Sequence, residues 1–408
     1  MVLLALAVIA GLALWIAAFV WFIGLRSAND GPGDEARPLE VATVEVAGPP
    51  ETVFDWSTSA CEEIDIPDAP ARAFRDAQGN VQLIASHHVN RRLTGPSLDQ
   101  LRHPCGIVMA SDLDADPSQF NDHEWIVAPY TPDGRALLAL VHNEYQGDKH
   151  PGRCPSGEYQ QCWYNTITLA TSSDGGRTFA DARNPPRHLV AAVPYRYQPD
   201  GGRTGIFQPS NILLREEDQY YYALVRAQQV GEQRAGTCVM RTGDLTNPES
   251  WRAWDGSGFN VRFVDPYRAQ SASPGNHVCA PVSTREIEQM VQSVTFNDYL
   301  GKYLLVGVAN LPGTPTAGTQ GIFFSTSDDL IDWSPRRLIM ETESLSTYEC
   351  GDSDPMIHPS LLDPTSESRN FETTGRRPYL YVTEAHYGSD CRLTLDRDLI
   401  RIPLRISK

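Results

Sequence analysis

The 408-residue chain lacks the motifs that mark several large enzyme classes. It has no GxSxG elbow, no Walker A loop and no GxGxxG fingerprint, so elbow hydrolases, NTPases and dinucleotide enzymes find no support. It has no HExxH or similar histidine spacing and no CxxC pair, which removes a zincin helix, a zinc ribbon and a thioredoxin-like site. Basic charge is scarce. Against 51 Asp and Glu stand 34 Lys and Arg, a net charge of −17. A nucleic-acid partner needs a basic footprint that this balance does not supply. After residue 50 no stretch sustains helical periodicity. Short apolar and aromatic runs alternate with Gly, Pro, Asn and Asp turns, the pattern of an all-β chain.

What is present begins with residues 2–25, VLLALAVIAGLALWIAAFVWFIGL, which carry no charged side chain. A run of this length can cross a bilayer as a helix, and it exceeds the apolar stretch of a usual cleaved signal. Residues 1–25 are therefore read as a transmembrane anchor or an uncleaved signal. Residues 26–50, rich in Gly, Pro and charge, are read as a flexible linker, and 51–408 as the folded domain. Eight cysteines follow the apolar segment. With an export segment in front, disulfides in an oxidising compartment are the simplest account. Pairing sequence neighbours gives 61–105, 154–162, 238–279 and 350–391, one of many connectivities that eight cysteines allow. The domain is placed in the periplasm or at the cell exterior.

A β-rich run ending in polar residues recurs: NVQLIASHH from residue 80, RALLALVHNEY from 135, YYYALVRAQ from 220, KYLLVGVAN from 302 and PYLYVTEAH from 378. Each is read as the second strand of a repeat. Shorter phrases such as IPDAPARAF (66–74), NDHEWIVAP (121–129) and FQPSNILL (207–214) precede the runs as innermost strands. A third phrase follows three of them. TSSDGGRTF (171–179) fits S-x-D-x-G-x-T-[WF], an Asp box in which the carboxylate accepts backbone N–H groups and the aromatic enters the core. RTGDLTNPESW and STSDDLIDW are degenerate forms. Repeats of about 70 residues holding several strands each predict a five-bladed β-propeller, with six blades the rival count.

This layout resembles the five-bladed propellers of arabinanase-like and levansucrase-like glycoside hydrolases, family 43 included. The resemblance rests on the blade phrases, on the segment Ser325–Trp333, and on the openings Pro209-Ser210-Asn211 and Pro359-Ser360-Leu361. It implies a central funnel with three carboxylates acting as base, acid and pKa modulator. The third inner strand, FQPSNI, departs from the family by carrying no carboxylate. The Asp boxes are shared with sialidases, a resemblance in which Arg72 would hold a substrate carboxylate.

In an up-and-down blade, strand-1 openings and strand-2 ends share one face. Glycosidic cleavage needs one protonated and one ionised carboxyl group. Asp68 is expected as base or nucleophile, Glu144 as general acid and Asp354 as third carboxylate. Arg72, His88, Arg91, His142, Asn143, Arg226 and His358 are expected to bind an oligo- or polysaccharide. Trp125 and Tyr145 could stack on a sugar face. The acidic loop 112–122, DLDADPSQFND, lacks EF-hand spacing, so a structural calcium there has no support; no metal and no cofactor are expected. The expected protein is a monomer that meets the membrane only through its N-terminal helix. It is a glycoside hydrolase, or alternatively a non-catalytic glycan- or protein-binding propeller, or a sialidase-like hydrolase.

Overall fold

The computed structural model describes residues 42–269, 273–311, 320–345 and 349–408. The expected membrane segment, residues 1–25, lies outside the described residues. Among the described residues no helix is long and apolar enough to cross a membrane. The described chain is nearly all-β, as the alternating pattern predicts, with only single helical turns.

The strands run in chain order through antiparallel meanders. Two short strands come first, β1 (Thr43–Val46) and β2 (Glu51–Phe54). The first meander holds β3 (Arg72–Arg75), β4 (Val81–Ile84), β5 (Val89–Arg91), β6 (Leu93–Gly95) and β7 (Ile107–Ala110). It is built as a three-stranded sheet β3-β4-β6 beside the ribbon β5-β7. The second is β8 (His123–Tyr130), β9 (Leu137–Gln146) and β10 (Trp163–Ser172), edged by β11 (Ala180–Asp181) and β12 (Leu189–Ala191). The third is β13 (Thr204–Phe207), β14 (Leu213–Arg215), β15 (Tyr220–Ala227), β16 (Gly236–Thr242) and β17 (Arg252–Ala253). A short parallel contact, Tyr164 with Thr204 and Asn165 with Gly205, fuses the second and third into one sheet. The fourth is β18 (Ser293–Asn297), β19 (Lys302–Asn310), β20 (Gln320–Ser327) and β21 (Arg337–Thr342). The last is β22 (Met356–Leu362), then β23 (Thr373–Thr374), which pairs back onto β18, then β24 (Tyr379–Tyr387) and β25 (Leu393–Ser407).

The N-terminal strands complete the last meander. β1 pairs with Leu404–Ser407 and β2 with Leu399–Arg401 of β25. The linker expected over residues 26–50 therefore ends earlier than its composition suggests. TVEV alternates side chains well enough to pair with the far end of the chain, and the compact unit begins at Thr43.

Apolar clusters lie between meanders that are neighbours in the chain. One joins the first and second (Phe74, Ile84, Ile126, Val141), another the second and third (Tyr164, Leu169, Val225, Trp251). A further cluster joins the third and fourth (Leu224, Val239, Leu305, Phe323). Another joins the first and last (Leu83, Leu362, Tyr381, Leu399). Polar ties stitch the leading strands. Asn90 donates to the Glu124 carbonyl at 2.8 Å and accepts from Ile126 N–H. Asn211 does the same with Val294, at 2.7 and 2.9 Å. Leu361 N–H donates to Ser293 Oγ at 3.0 Å, and Ser360 Oγ donates to the Ala71 carbonyl at 2.5 Å.

All four neighbour-pairing disulfides are present: Cys61–Cys105, Cys154–Cys162, Cys238–Cys279 and Cys350–Cys391. They fit an oxidising, extracytoplasmic setting. The Asp-containing turns form as their chemistry dictates. Asp174 accepts from Arg177 N–H, Thr178 N–H and Thr178 Oγ1, and Phe179 is buried. In the segment 325–333 the turn carboxylate is Asp329, while Asp328 pairs with Lys302.

Candidate active site

Asp68 lies in the loop entering β3, its N–H fixed to the Ala85 carbonyl at 2.9 Å. Its carboxylate gathers one guanidinium and two imidazoles from two meanders. Arg397 on β25 donates to Oδ1, His358 Nε2 lies 3.7 Å from Oδ1, and His87 Nε2 lies 3.6 Å from Oδ2. Burial alone would raise its pKa. The Arg397 charge and the two imidazoles outweigh burial and hold Asp68 ionised, below the usual carboxylate range.

Glu144 ends β9, and its environment is the reverse. It is 8% exposed. Tyr159 Oη donates to Oε2 at 3.1 Å, Gln146 Nε2 donates to the same oxygen at 3.0 Å, and His142 Nδ1 lies 3.9 Å from Oε1. Burial, with the Asp68 charge adding to it, outweighs the hydrogen bonds and Arg203 and pushes its pKa up to about 7. The Asp68 charge thus acts on Glu144, while their surroundings drive the two carboxyl groups apart. That division is what acid–base work on a glycosidic bond requires.

A ring-lined wall connects them. Trp125 packs at 5.2 Å from His87 and 6.1 Å from His142, centroid to centroid. Phe207 lies 5.9 Å beyond His142, Trp163 packs on Phe207 at 5.6 Å, and Tyr159 stacks on Trp163 at 4.5 Å. His88 stands behind His87 at 4.3 Å, its pKa lowered to about 4 by burial and the neighbouring histidines. His142 Nε2 and Trp163 Nε1 both donate to Asn165 Oδ1, at 2.7 and 3.0 Å. Burial lowers the His142 pKa to about 3, so the ring is neutral.

Two guanidinium groups cap the wall. Arg203 covers Trp163 at 4.0 Å and Phe207 at 4.3 Å, and Arg226 lies 5.3 Å over Phe207. Among the described residues neither has a carboxylate within 4 Å, and the Arg203 Nε is buried without an acceptor. Burial and the Arg203 charge lower the Arg226 pKa to about 9. Two backbones at the site are strained. Gln208 has φ 23° and His358 φ 54°, and the pair meet at 3.4 Å through Gln208 Nε2 and His358 Nδ1.

Asp68, Glu144, His88, His142, Arg226 and His358 are therefore brought together. Five other residues expected here have different work. Arg72 is 4% exposed and donates to the Val127 carbonyl at 3.0 Å, to Ser360 Oγ at 3.1 Å and to the Gln292 carbonyl. Its planar fork suits a tie between meanders and leaves nothing for a sugar, or for the substrate carboxylate of the sialidase comparison. Arg91 is held by Glu62 at 2.5 Å and by the Cys105 carbonyl, in a small cavity with Asp65 and His103. Asn143 falls on the opposite face of β9 from His142 and Glu144. It donates to Thr166 Oγ1 at 3.0 Å and accepts from Asp122 N–H. Asp354 pairs with His386 Nδ1 at 2.7 Å, in a separate group with Asp398, and not with Asp68. Tyr145 is buried against Tyr197 and His150, away from the wall.

Of the clusters able to hold a metal, those at Cys61–Cys105 and Cys154–Cys162 are closed by their disulfides. Glu384, His386 and Asp398 form a third, with His386 already engaged by Asp354 and Asp398. The fourth, around Glu124, is taken up below.

No family model matches the chain, and no curated protein matches it. Similar solved structures include a putative exo-β-1,3-galactanase from Bifidobacterium bifidum, at 15% identity and TM-score 0.42, covering 84% of this chain and 94% of that one. An endo-arabinase from Bacteroides thetaiotaomicron follows at 12% identity and TM-score 0.44, covering 86% and 97%. A β-fructofuranosidase from Schwanniomyces occidentalis has 12% identity and TM-score 0.44, covering 87% of this chain and 59% of its own. At this level of likeness, fold and function rest on the chain's own geometry.

Proposed function

We propose that residues 43–407 form a five-bladed β-propeller that cleaves glycosidic bonds, with Glu144 as general acid and Asp68 as base or nucleophile. The apolar clusters that join the first four meanders in succession, the cluster shared by first and last, and the pairing of β1 and β2 with β25 support ring closure. The single observation that carries the chemistry is the opposite electrostatic treatment of two carboxyl groups in one site. Protonated Glu144 gives its proton to the leaving glycosidic oxygen. Ionised Asp68 attacks the anomeric carbon or activates water there. Trp125 and Tyr159 offer faces for a sugar ring, with His358 and Gln208 as hydroxyl partners. Arg203 and Arg226, with no carboxylate within 4 Å among the described residues and only the Gln228 amide oxygen on Arg226, favour a sugar that carries a carboxylate or sulfate.

The test is a screen of aryl glycosides and polysaccharides, neutral and uronic, against the full chain and its Glu144→Gln and Asp68→Asn variants. Each variant is expected to lose about 10²–10⁴-fold in kcat while its circular dichroism is unchanged. A non-catalytic glycan-binding propeller is the second reading, favoured by the ion pair in which Arg397 occupies Asp68 Oδ1. Glycan binding without turnover, indifferent to both substitutions, would select it.

A further inference from the structure

The residue after His123 faces away from the catalytic wall. Glu124 is 3% exposed, and its Oε1 is buried with no hydrogen-bond partner. One ligand-capable atom each from Glu124, Asp181 and His188 lie within 4.8 Å of one another. The three come from β8, from β11 and from the turn before β12. His188 is fully buried. Its Nε2 lies 3.2 Å from the Phe120 carbonyl and 3.9 Å from Asp181 Oδ1, and its Nδ1 has no partner.

The charges acting on this pocket are of one sign. Asp181, Asp112 and Asp122 all act on Glu124, and Asp112 acts on Asp181. Among the described residues no Lys or Arg lies within 4 Å of Glu124 or Asp181. A buried carboxylate beside two others is costly unless a cation compensates it. The loop 112–122, too irregular for an EF-hand, is what brings Asp112 and the Phe120 carbonyl to this place.

We propose that Glu124, Asp181 and His188 bind a divalent transition-metal cation of the Zn²⁺ or Mn²⁺ type, with Asp112 beside them. The imidazole decides the class, because Ca²⁺ takes oxygen ligands whereas an imidazole with carboxylates suits the first-row metals. The ion would clamp β8 to the far edge of β10, behind His123 and Trp125. This site is independent of the hydrolase reading, since it shares no residue with the catalytic pair.

The experiment strips full-length protein with EDTA and titrates it calorimetrically with ZnCl₂, MnCl₂ and CaCl₂, with Glu124→Gln and Asp181→Asn alongside. Expected are one Zn²⁺ or Mn²⁺ per chain and a rise in melting temperature of about 3 °C at a hundredfold excess over Kd. Both effects should be lost in either variant. Stripped Glu124→Gln should melt above the stripped parent, because it no longer buries an uncompensated carboxyl. No uptake, uptake unchanged in both variants, or uptake of Ca²⁺ alone would overturn the site.

Discussion

Glu144 is asked to keep its proton near neutrality while Asp68, in the same site, gives its proton up. If so, activity has an alkaline limb near pH 7 and an acid limb below the usual carboxylate range, measurable as kcat/KM against pH. Stability carries the same signature. A carboxyl raised from 4.5 to about 7 binds its proton in the folded chain where the unfolded chain has lost it, so its contribution falls as pH rises through that window. Glu144→Gln should therefore gain on the parent between pH 5 and 8, by at most about 3 kcal/mol in urea denaturation. No pH dependence of that difference would contradict the raised pKa. Asp68 has the opposite sign: its contribution is present above 3.8 and is lost as pH falls toward the folded value. Arg72→Met tests a structural residue. It strands several buried carbonyls and should cost about 3–5 kcal/mol of stability, in contrast to a residue that only holds substrate. Asp68 and Glu144 could be picked out as candidates because one opens an innermost-strand phrase and the other ends a second-strand phrase, positions that share one face of a blade. Arg397, Arg203 and Tyr159 could not. Arg397 comes from the last strand and meets Asp68 only where the chain closes, Arg203 comes from the segment before β13, and Tyr159 comes from the disulfide loop between β9 and β10, whose course no strand pattern reveals.

At the scale of elements, period-two alternation sorts the three polar residues near the end of β9. His142 and Glu144 share a face, and Asn143 between them must take the other, where Thr166 and Asp122 satisfy it. The phrase HNE marks all three as polar strand-end residues, and only the pleat separates them. The disulfides were readable because each closes a short segment within or beside one meander. Cys238–Cys279 ties β16 to the segment leading into the fourth meander, with both cysteines buried. The double change Cys238→Ser, Cys279→Ser should cost about 2–5 kcal/mol by urea denaturation, and an unchanged midpoint would show that packing alone fixes this contact.

At the scale of the molecule, the repeat phrases reveal the meanders but not how the chain closes. The closing strand is supplied by TVEV, which composition assigns to a linker. Deleting residues 43–54 would leave β25 with an unpaired edge. The expected result is a lower melting temperature and association on size-exclusion chromatography; a monodisperse product with the parent's melting temperature would argue against closure by these strands. The catalytic claim depends on that closure, because Asp68 and Arg397 come from opposite ends of the chain and meet only where the first and last meanders join. Its most direct test compares Glu144→Gln with the parent on aryl glycosides of poor and of highly activated leaving groups. A general acid matters only when the leaving oxygen needs a proton. The loss in kcat/KM should be about 10³-fold on the poor leaving group and less than about tenfold on the activated one. Equal losses on both substrates, or none on either, would contradict the assignment of Glu144 as the acid.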